Sequence, residues 1–517
     1  MKNLSKSERL FALFFLFSFY ILCGLVAMGS ISLSLWMSLL VFFVFAVFAF
    51  FYPREALSIF VVSSFFEIIY FFSDSLPITL RPYQLFAVSI VFSGFFRYVL
   101  KREKIIFFQF NSIDIGVVLL GVGSIFSSLF SPFLEESIRL SIIMLSFIFI
   151  YGVVRWFVRT KEDIYALFPF LVVGFLATSL WGILQNIAFL WNWSVIKEVM
   201  PGRPNGFFSE PDWFGFCMAL ASVILAHGFL FLKKKEKTPL FLFWIVLTFV
   251  FTALIISVSR SAWLASFFGL VVLLVCCFWE FRKRMIRRTG LLFFSFFVAV
   301  IYVFVLPLTQ FELGNRLESS FSGLQEITIS CLEPISVSPE KIYSSEELQT
   351  RNCRHIALEE IESEKMVGNF VTRVFRDDPN VLERKDVWKK SFVAFKEYGF
   401  WGVGWGSMEY LFGRDDRNEI LNASNIFLNV YIGAGFLGFL GFMIIIVSIF
   451  LGIFHQLSSR KKTSRIIGCG VFSTLAVVGV FNFFNSAEFL GIMWIWLGLI
   501  IPLVYERYEF FSFWRKR

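Results

Sequence analysis

Long apolar runs recur along almost the whole chain, and they limit its possible folds more than any other feature. The chain has 517 residues, of which 57% are hydrophobic and 16% charged, whereas soluble globular proteins carry about 25% charged residues. Each run approaches the ~20 residues that an α-helix needs to cross ~30 Å of hydrocarbon. The sequence therefore predicts an all-α, polytopic transmembrane helix bundle.

About fourteen spans are predicted, and they divide the chain into three parts. The expected spans are 10–29, 31–52, 56–73, 82–100, 112–131, 137–158, 164–190, 211–232, 239–257, 261–279, 289–308, 430–455, 466–485 and 489–505. The first run follows basic residues as a signal peptide does, but no small-residue cleavage site stands out, so it is kept as a span. Residues 1–308 then hold eleven spans, 309–420 form one large loop, and 421–517 hold the last three.

The charge distribution predicts the orientation of the spans. Residues 309–420 carry 20 acidic and 14 basic residues, a net −6, whereas the whole chain carries +9, so the remainder carries +15. The basic residues cluster in short loops such as "KREK" (101–104) and "KKKEK" (233–237), which alternate along the chain. The positive-inside rule places these loops and both termini in the cytoplasm and the large loop outside.

The large loop is expected to have two different halves. Its first half is polar and rich in Ser and Glu, which predicts partial disorder or a small cap. Its second half predicts an amphipathic helix over 379–398, with Pro379 in the first turn and Gly399 at the end. Cys331 and Cys353 are the only cysteines of this loop. They form a disulfide if the compartment is oxidising, or remain two free thiols. No spacing typical of metal ligands occurs, so no metal site is predicted.

Ionisable residues gather near the expected outer ends of the spans. Arg203, Glu210 and Asp212 precede the eighth span within "GRPNGFFSEPDW", and Arg260 follows the ninth within "SVSRSAW". A charged group at membrane depth costs about 2.5–3.5 kcal/mol, so such residues are functional candidates. The planar fork of arginine suits a phosphate group. The alternative is that these arginines reach lipid headgroups or pair with nearby acids.

The order of these motifs resembles the O-antigen ligase and O-antigen polymerase family of bacterial membrane glycosyltransferases. "RPNGFFSEPDW" precedes a span, "SVSRSAW" precedes another, and a large loop ends in "GVGWGS" before "SNIFLN". The resemblance covers about residues 202–441. It implies a lipid-linked glycan donor, usually undecaprenyl pyrophosphate, that gives its glycan to a lipid or glycan acceptor at the outer face of the inner membrane. It implies neither a metal nor another cofactor.

The resemblance also implies roles for individual residues. Arg203, Arg260 and Arg384 match the family's arginines, which would bind the pyrophosphate and stabilise its charge as it leaves. The residues of the other motifs would contact substrate: Asn205, Gly404, Gly406, Ser424 and Asn425. Asn425 has an alternative role as a helix cap, and the two glycines have one in a tight turn.

One departure from the family pattern leaves the general base open. Ligases of this family often carry His directly before the Asn of the last motif, where this chain has Ser424. A serine is not a base at neutral pH unaided. Candidates for the base are Glu210, Asp212, Asp415, Asp416 and Glu419, together with His355, the only histidine of the large loop. Alternatively, positioning and electrostatics carry most of the rate, because pyrophosphate is a good leaving group.

Two other functions are compatible with these features. A lipid-linked oligosaccharide flippase also has many spans, but it would favour an internal repeat and polar residues at mid-membrane, neither of which is evident. A catalytically inactive assembly subunit is consistent with Ser424. The favoured interpretation is a membrane glycosyltransferase that ligates or polymerises lipid-linked glycans.

Overall fold

The fold was analysed in a computed structural model, which divides into two compact units. The first comprises Met1–Leu308 and Val393–Arg517, and the second comprises Thr309–Phe392. The structure describes residues 6–31, 33–71, 80–101, 110–193, 195–196, 198, 200, 202–231, 237–308, 324–333, 341–342, 351–356, 361–377, 379–413 and 421–505.

The first unit is built from α-helices. Before the second unit come α1 (Lys6–Ala27), α2 (Leu35–Phe51), α3 (Pro53–Ser63), α4 (Pro82–Val99), α5 (Ser112–Leu129), α6 (Leu134–Phe157), α7 (Lys161–Leu190), α8 (Pro211–Phe231), α9 (Lys237–Ile256) and α10 (Arg260–Val305). Within the part of the chain that the structure describes, eight helical segments are long and apolar enough to cross a membrane, and four more apolar helices are shorter. The all-α, polytopic membrane fold is therefore confirmed, while the span count remains a prediction.

The third predicted span, 56–73, is wrong in its extent. Helix α3 has 11 residues, which at 1.5 Å per residue gives about 16 Å, half of the hydrocarbon thickness. The chain leaves the helix because its next backbone groups bond elsewhere. Glu67 N donates to Phe207 O over 2.8 Å, and Phe71 pairs with Leu80. Sequence hydropathy did not reveal this, because the segment is apolar whether or not it is helical.

Helix α10 contains two of the predicted spans and reverses direction between them. It is assigned over 46 residues. Ser266 Oγ lies 2.8 Å from Ser222 Oγ, and Arg288 Nη1 donates to Leu230 O. These partners are about 12 Å apart along α8, whereas a straight α10 would separate Ser266 from Arg288 by about 33 Å. The two apolar halves are therefore antiparallel: Arg260–Phe278 and Ile286–Val305.

The second unit contains a sheet that the sequence did not predict. Strands β1 (Leu324–Cys331), β2 (Lys341–Ile342), β3 (Cys353–His355) and β4 (Phe370–Asp377) form it in the order β2-β4-β1-β3. A disulfide joins Cys331 and Cys353, which are paired in register on β1 and β3. The pattern was missed because β2 and β3 have only two and three residues, and all four strands lie among polar residues. Helix α11 (Ile361–Met366) also belongs to this unit.

The remaining helices return the chain to the bundle. They are α12 (Pro379–Tyr398), which occupies the range predicted for the amphipathic helix, α13 (Met408–Phe412), α14 (Ile426–Leu457), α15 (Lys462–Phe484) and α16 (Gly491–Val504). Helix α14 packs closely on α5, since a Cβ at Gly123 would lie 2.3 Å from Gly438 N. Small residues allow membrane helices to approach in this way. The contact holds the middle of α14 against α5.

Candidate functional site

Arg203 is buried in the loop before α8, where it meets a carboxylate. It is 7% exposed, its Nη2 lies 3.5 Å from Asp212 Oδ2, and its Nη1 lies 3.5 Å from Met200 Sδ. Its Nε has no hydrogen-bond partner within the described part of the chain. The guanidinium is thus fixed in place, but it retains a donor that no described group uses.

Asp212 joins the Arg203 loop to the turn between α9 and α10. Ser259 Oγ donates to Asp212 Oδ1 over 2.5 Å, while Arg203 approaches the other carboxylate oxygen. Arg260 is the next residue after Ser259, begins α10 and is partly exposed. Two segments that are about fifty residues apart in sequence are therefore brought together at Asp212.

The same end of the bundle includes the loop between α15 and α16. Asn485 Nδ2 donates to Ser261 Oγ over 2.8 Å, and Ser261 Oγ lies 3.3 Å from Ser259 Oγ. Asn425 Nδ2 donates to the carbonyl of Phe483 over 3.1 Å. A chain of polar contacts thus runs from Arg203 to Asn485, and the adjoining end of α15 bonds to the start of α14. We call this set of contacts the polar layer.

Asn425 caps helix α14 and also bonds to α15. Its Oδ1 accepts from Phe427 N over 3.0 Å and from Leu428 N over 3.3 Å. Both ends of its amide are therefore engaged within the protein. Ser424, just before it, has a left-handed backbone with φ +46°, and its N donates to Asn422 Oδ1 over 2.7 Å. Substrate binding by Ser424 and Asn425 remains a prediction beside this structural role.

Glu488 lies in the α15–α16 loop and is almost completely buried. It is 4% exposed, and its Oε1 accepts from Asn429 Nδ2. Its Oε2 has no hydrogen-bond partner among the described residues. Burial raises the pKa of this carboxyl, against smaller opposing effects of hydrogen bonds from backbone N–H and Asn429.

Asn429 connects Glu488 to the segment before α14. Its Oδ1 accepts from Ala423 N over 3.2 Å, so its Nδ2 is the atom left to donate to Glu488. Ala423 directly precedes Ser424. The carboxylate is therefore one side chain away from the segment that contains Ser424 and Asn425.

A buried ion pair supports this loop from the other side. Arg81 Nη1 lies 2.8 Å from Glu67 Oε2 and donates to Phe489 O over 3.2 Å. Glu67 also accepts from Tyr83 OH and from Gly491 N, each over 3.0 Å. Both oxygens of Glu67 are thus bonded. The pair fixes the backbone from Phe489 to Gly491.

Gly404 and Gly406 lie where the backbone passes close to α6. Gly404 has φ +87°, and a Cβ there would lie 2.6 Å from Ser137 Oγ. Gly406 N donates to the same Ser137 Oγ over 3.2 Å. The side chain of Trp405 between them is fully buried and bonds to Ser124 Oγ over 3.1 Å. Close packing against α6 therefore explains why both positions are occupied by glycine. Contact of these glycines with substrate remains a prediction.

Asn205 lines a small cavity beside the Arg203 loop. Its Nδ2 donates to Phe208 O over 2.5 Å, and its Oδ1 accepts from Gln185 Nε2 over 3.3 Å. The cavity has a volume of about 190 Å³ and is also lined by Trp181, Glu198 and apolar side chains. Amide groups beside an aromatic ring can bind sugar hydroxyls, and the same arrangement also occurs in ordinary protein packing.

Several predicted site residues are not placed in this polar layer. Arg384 belongs to the part of α12 that lies in the second unit, and its side chain is outside the described residues. The acids at positions 415, 416 and 419 are likewise outside them. Glu210 is partly buried and accepts from Phe214 N through its backbone oxygen.

Sequence reasoning did not single out Asn429, Asn485, Ser261 or Glu488 as site residues. Within one sequence, Asn429 is a single polar residue four positions after Asn425 in an apolar helix. Asn485 and Glu488 form a short polar break, "NSAE", between two apolar runs. That break was the available signal, because polar groups between spans need partners when they are buried.

Comparison with known proteins gives one family. The family model described as O-Antigen ligase matches residues 244–443. The matched range includes Arg260, Gly404 and Asn425, whereas Arg203 and Glu488 lie outside it. No curated protein sequence matches the chain.

Proposed function

Because residues 244–443 match the O-antigen ligase family model, we propose that this protein transfers a glycan from undecaprenyl pyrophosphate. The acceptor is a hydroxyl group at the outer face of the bacterial inner membrane. The bond from the anomeric carbon to the pyrophosphate oxygen breaks, and a bond from that carbon to the acceptor oxygen forms. The acceptor is a lipid in ligation and a glycan chain in polymerisation. Neither step requires a metal or another cofactor.

The convergence of the Arg203 and Arg260 segments on Asp212 supports this proposal most strongly. A diphosphate that leaves its sugar develops negative charge, and fixed donors aimed at that charge lower the barrier. Arg203 is held by the protein before substrate arrives, so it needs little reorganisation. Arg260 begins α10, where the backbone N–H groups at the helix N-terminus add further attraction for an anion.

Asp212 would balance Arg203 in the absence of substrate. A buried guanidinium without a counter-charge is costly, and Asp212 supplies that charge at 3.5 Å. When the diphosphate binds, its negative charge replaces that of Asp212 as the counter-charge of Arg203. Asp212 would then keep Ser259, and hence the start of α10, in position.

The proposal is tested by replacing the arginines in cells that produce a surface polysaccharide dependent on this protein. We expect Arg203→Ala and Arg260→Ala each to cause lipid-linked glycan to accumulate and the finished polymer or conjugate to disappear. Arg139→Ala is the matched control, because Arg139 is exposed and pairs with Glu136 on the same helix. Lipid-linked glycan should be extracted and compared at equal amounts of membrane-inserted protein.

Three outcomes are informative. Normal polymer in both arginine variants would contradict the proposal. Accumulation only on the cytoplasmic leaflet would favour a flippase. Accumulation at the outer leaflet, with unligated polymer of full length, would identify a ligase rather than a polymerase.

A further inference from the structure

We propose that Glu488 is the proton acceptor of the transfer reaction, with its Oε2 taking the proton of the acceptor hydroxyl. This assignment rests on the proposed function, since it names the base for that same reaction. It addresses the departure at Ser424, which leaves the motif without the basic side chain that the family often carries there.

The two oxygens of Glu488 differ in their bonding, and the difference identifies the basic atom. Asn429 Oδ1 accepts from a backbone N–H, so the amide presents Nδ2 to Glu488 Oε1. Oε1 is therefore an acceptor in either protonation state. Oε2 has no partner among the described residues and is buried, so a proton taken up by the carboxylate goes to Oε2.

A second buried polar atom of the same loop also lacks a hydrogen-bond partner among the described residues. Ser486 is 7% exposed, and its Oγ also has no hydrogen-bond partner in the described ranges. Buried polar atoms usually have partners, so two such atoms two residues apart point to a ligand or a water that completes the site. The acceptor hydroxyl would reach Oε2 directly or through one water.

Asp212 and Glu67 are less suited to the role. Asp212 receives Arg203 at one oxygen and Ser259 at the other, and both interactions favour the charged form and weaken it as a base. Glu67 is bonded at both oxygens to Arg81, Tyr83 and Gly491 N. Among these three, Glu488 alone keeps an oxygen without a described partner.

The position of Glu488 connects the motifs of the site. The loop that contains Glu488 begins at Asn485, which bonds to Ser261 beside Arg260. Glu488 itself accepts a hydrogen bond from Asn429, which also bonds to Ala423, the residue before Ser424. In the reaction, the acceptor oxygen forms its bond to the anomeric carbon while that carbon loses the pyrophosphate. The proton moves to Oε2 and later leaves to solvent, so that atoms and charges balance.

Arg81 and Glu67 are charged groups that bond to this loop and to the first residue of α16. Arg81 contacts the carbonyl of Phe489, and Glu67 accepts from Gly491 N. They form a pair with each other, so they contribute little net charge at Glu488. Asn429 and Trp494 face Glu488 from α14 and α16, and Trp494 Nε1 bonds to its backbone oxygen over 2.7 Å. Neither of these two side chains titrates as an acid or base in the neutral range.

The test uses the purified full chain in lipid nanodiscs, with polyprenyl-pyrophosphate-linked glycan as donor and acceptor-dependent release of polyprenyl pyrophosphate as the readout. Glu488→Gln keeps the shape and the bond from Asn429 but removes the base. We expect its kcat to fall about 10²-fold or more, with the donor KM changed less than about threefold. We expect the wild-type rate to rise with pH through the neutral range and this rise to disappear in the variant. Glu488→Asp should restore part of the rate and the pH dependence.

Glu136→Gln is the matched control, because Glu136 is an exposed carboxylate with an exposed Arg139 as its partner. It should leave both the rate and the pH profile unchanged. A Glu488→Gln variant with more than about one third of the wild-type kcat and the same pH profile would overturn the assignment of Glu488 alone. Absence of acceptor-dependent release from the wild-type protein would overturn the proposed function and, with it, this assignment.

Discussion

Arg203 Nη2 lies 3.5 Å from Asp212 Oδ2, and the Arg203 side chain is buried. Charge-assisted hydrogen bonds between such groups are about 2.7–2.9 Å long. The pair is therefore close enough to neutralise the guanidinium but is not a tight bidentate contact. An anion with several oxygens would form shorter bonds with Arg203 than Asp212 does.

The first prediction concerns Asp212→Asn. Asparagine retains an oxygen for Ser259 but removes the charge that competes for Arg203. We expect the donor KM to fall by about threefold and kcat to change by less than about tenfold. Steady-state kinetics with the lipid-linked donor would measure both.

The same variant separates two roles that the sequence left open for Asp212. If Asp212 only balances Arg203, kcat survives the change. A loss of kcat by about 10²-fold or more would instead make Asp212 the proton acceptor and would contradict the assignment of Glu488. Glu210→Gln tests the neighbouring acid in the same way.

The second prediction concerns the backbone at Gly404. Gly404→Ala places a Cβ 2.6 Å from Ser137 Oγ at φ +87°. The unfavourable backbone costs about 1–3 kcal/mol, and overpacking adds about 1–3 kcal/mol. The thermal unfolding midpoint in detergent should therefore fall clearly.

Gly413→Ala is the matched control for that change. Gly413 has φ +82°, but no heavy atom lies within 4 Å of its added Cβ. It should show the backbone cost without the overpacking. Equal destabilisation by the two variants would mean that the contact with Ser137 does not matter.

The third prediction separates the two roles of Asn425. Asn425→Ala removes the cap of α14 and the bond to Phe483 O, and each loss should cost about 1 kcal/mol. Asn425→Asp retains a capping oxygen and should recover the first part of that stability. If Asn425 only caps, transfer activity follows stability through both variants. A stable Asn425→Asp protein without transfer activity would show that the Nδ2 donor contacts substrate.

The fourth prediction uses the second unit to test membrane orientation. Cys331 and Cys353 close a loop with a sequence separation of 22, which contributes about 3 kcal/mol in the chain-entropy description. If the unit lies outside the cytoplasm, alkylation of intact cells followed by a non-reducing gel should find both thiols protected. Free, alkylated thiols at both positions would contradict the proposed orientation. Replacing both residues with Ser provides the mobility standard.

The sequence predicted the helical bundle well because its main signal, apolar length, is local. Fourteen apolar runs led to helices near every expected position, including the two antiparallel halves of α10. The boundary of α3 was not predictable, because its ending depends on a bond between Glu67 and Phe207, about 140 residues away. The sheet of the second unit was missed for a similar reason, since β1 pairs with distant β4.

The sequence singled out the arginines of the candidate site but did not reveal which side chains connect them. Arg203 and Arg260 stood out because charge is rare beside apolar runs. The connection of both segments through Asp212 and Ser259 depends on tertiary packing. Asn429 and Glu488 bond across 59 residues of sequence, and a single chain contains no sign of that pairing.

The most direct test of the account is the affinity of the purified protein for polyprenyl pyrophosphate compared with polyprenyl phosphate, measured in nanodiscs at constant ionic strength. We predict that the wild-type protein prefers the diphosphate by about tenfold or more, because two arginine segments face it. This preference should be lost in Arg203→Ala and in Arg260→Ala but retained in Arg139→Ala. Equal affinity for the two lipids, or an unchanged preference in both arginine variants, would contradict the central claim.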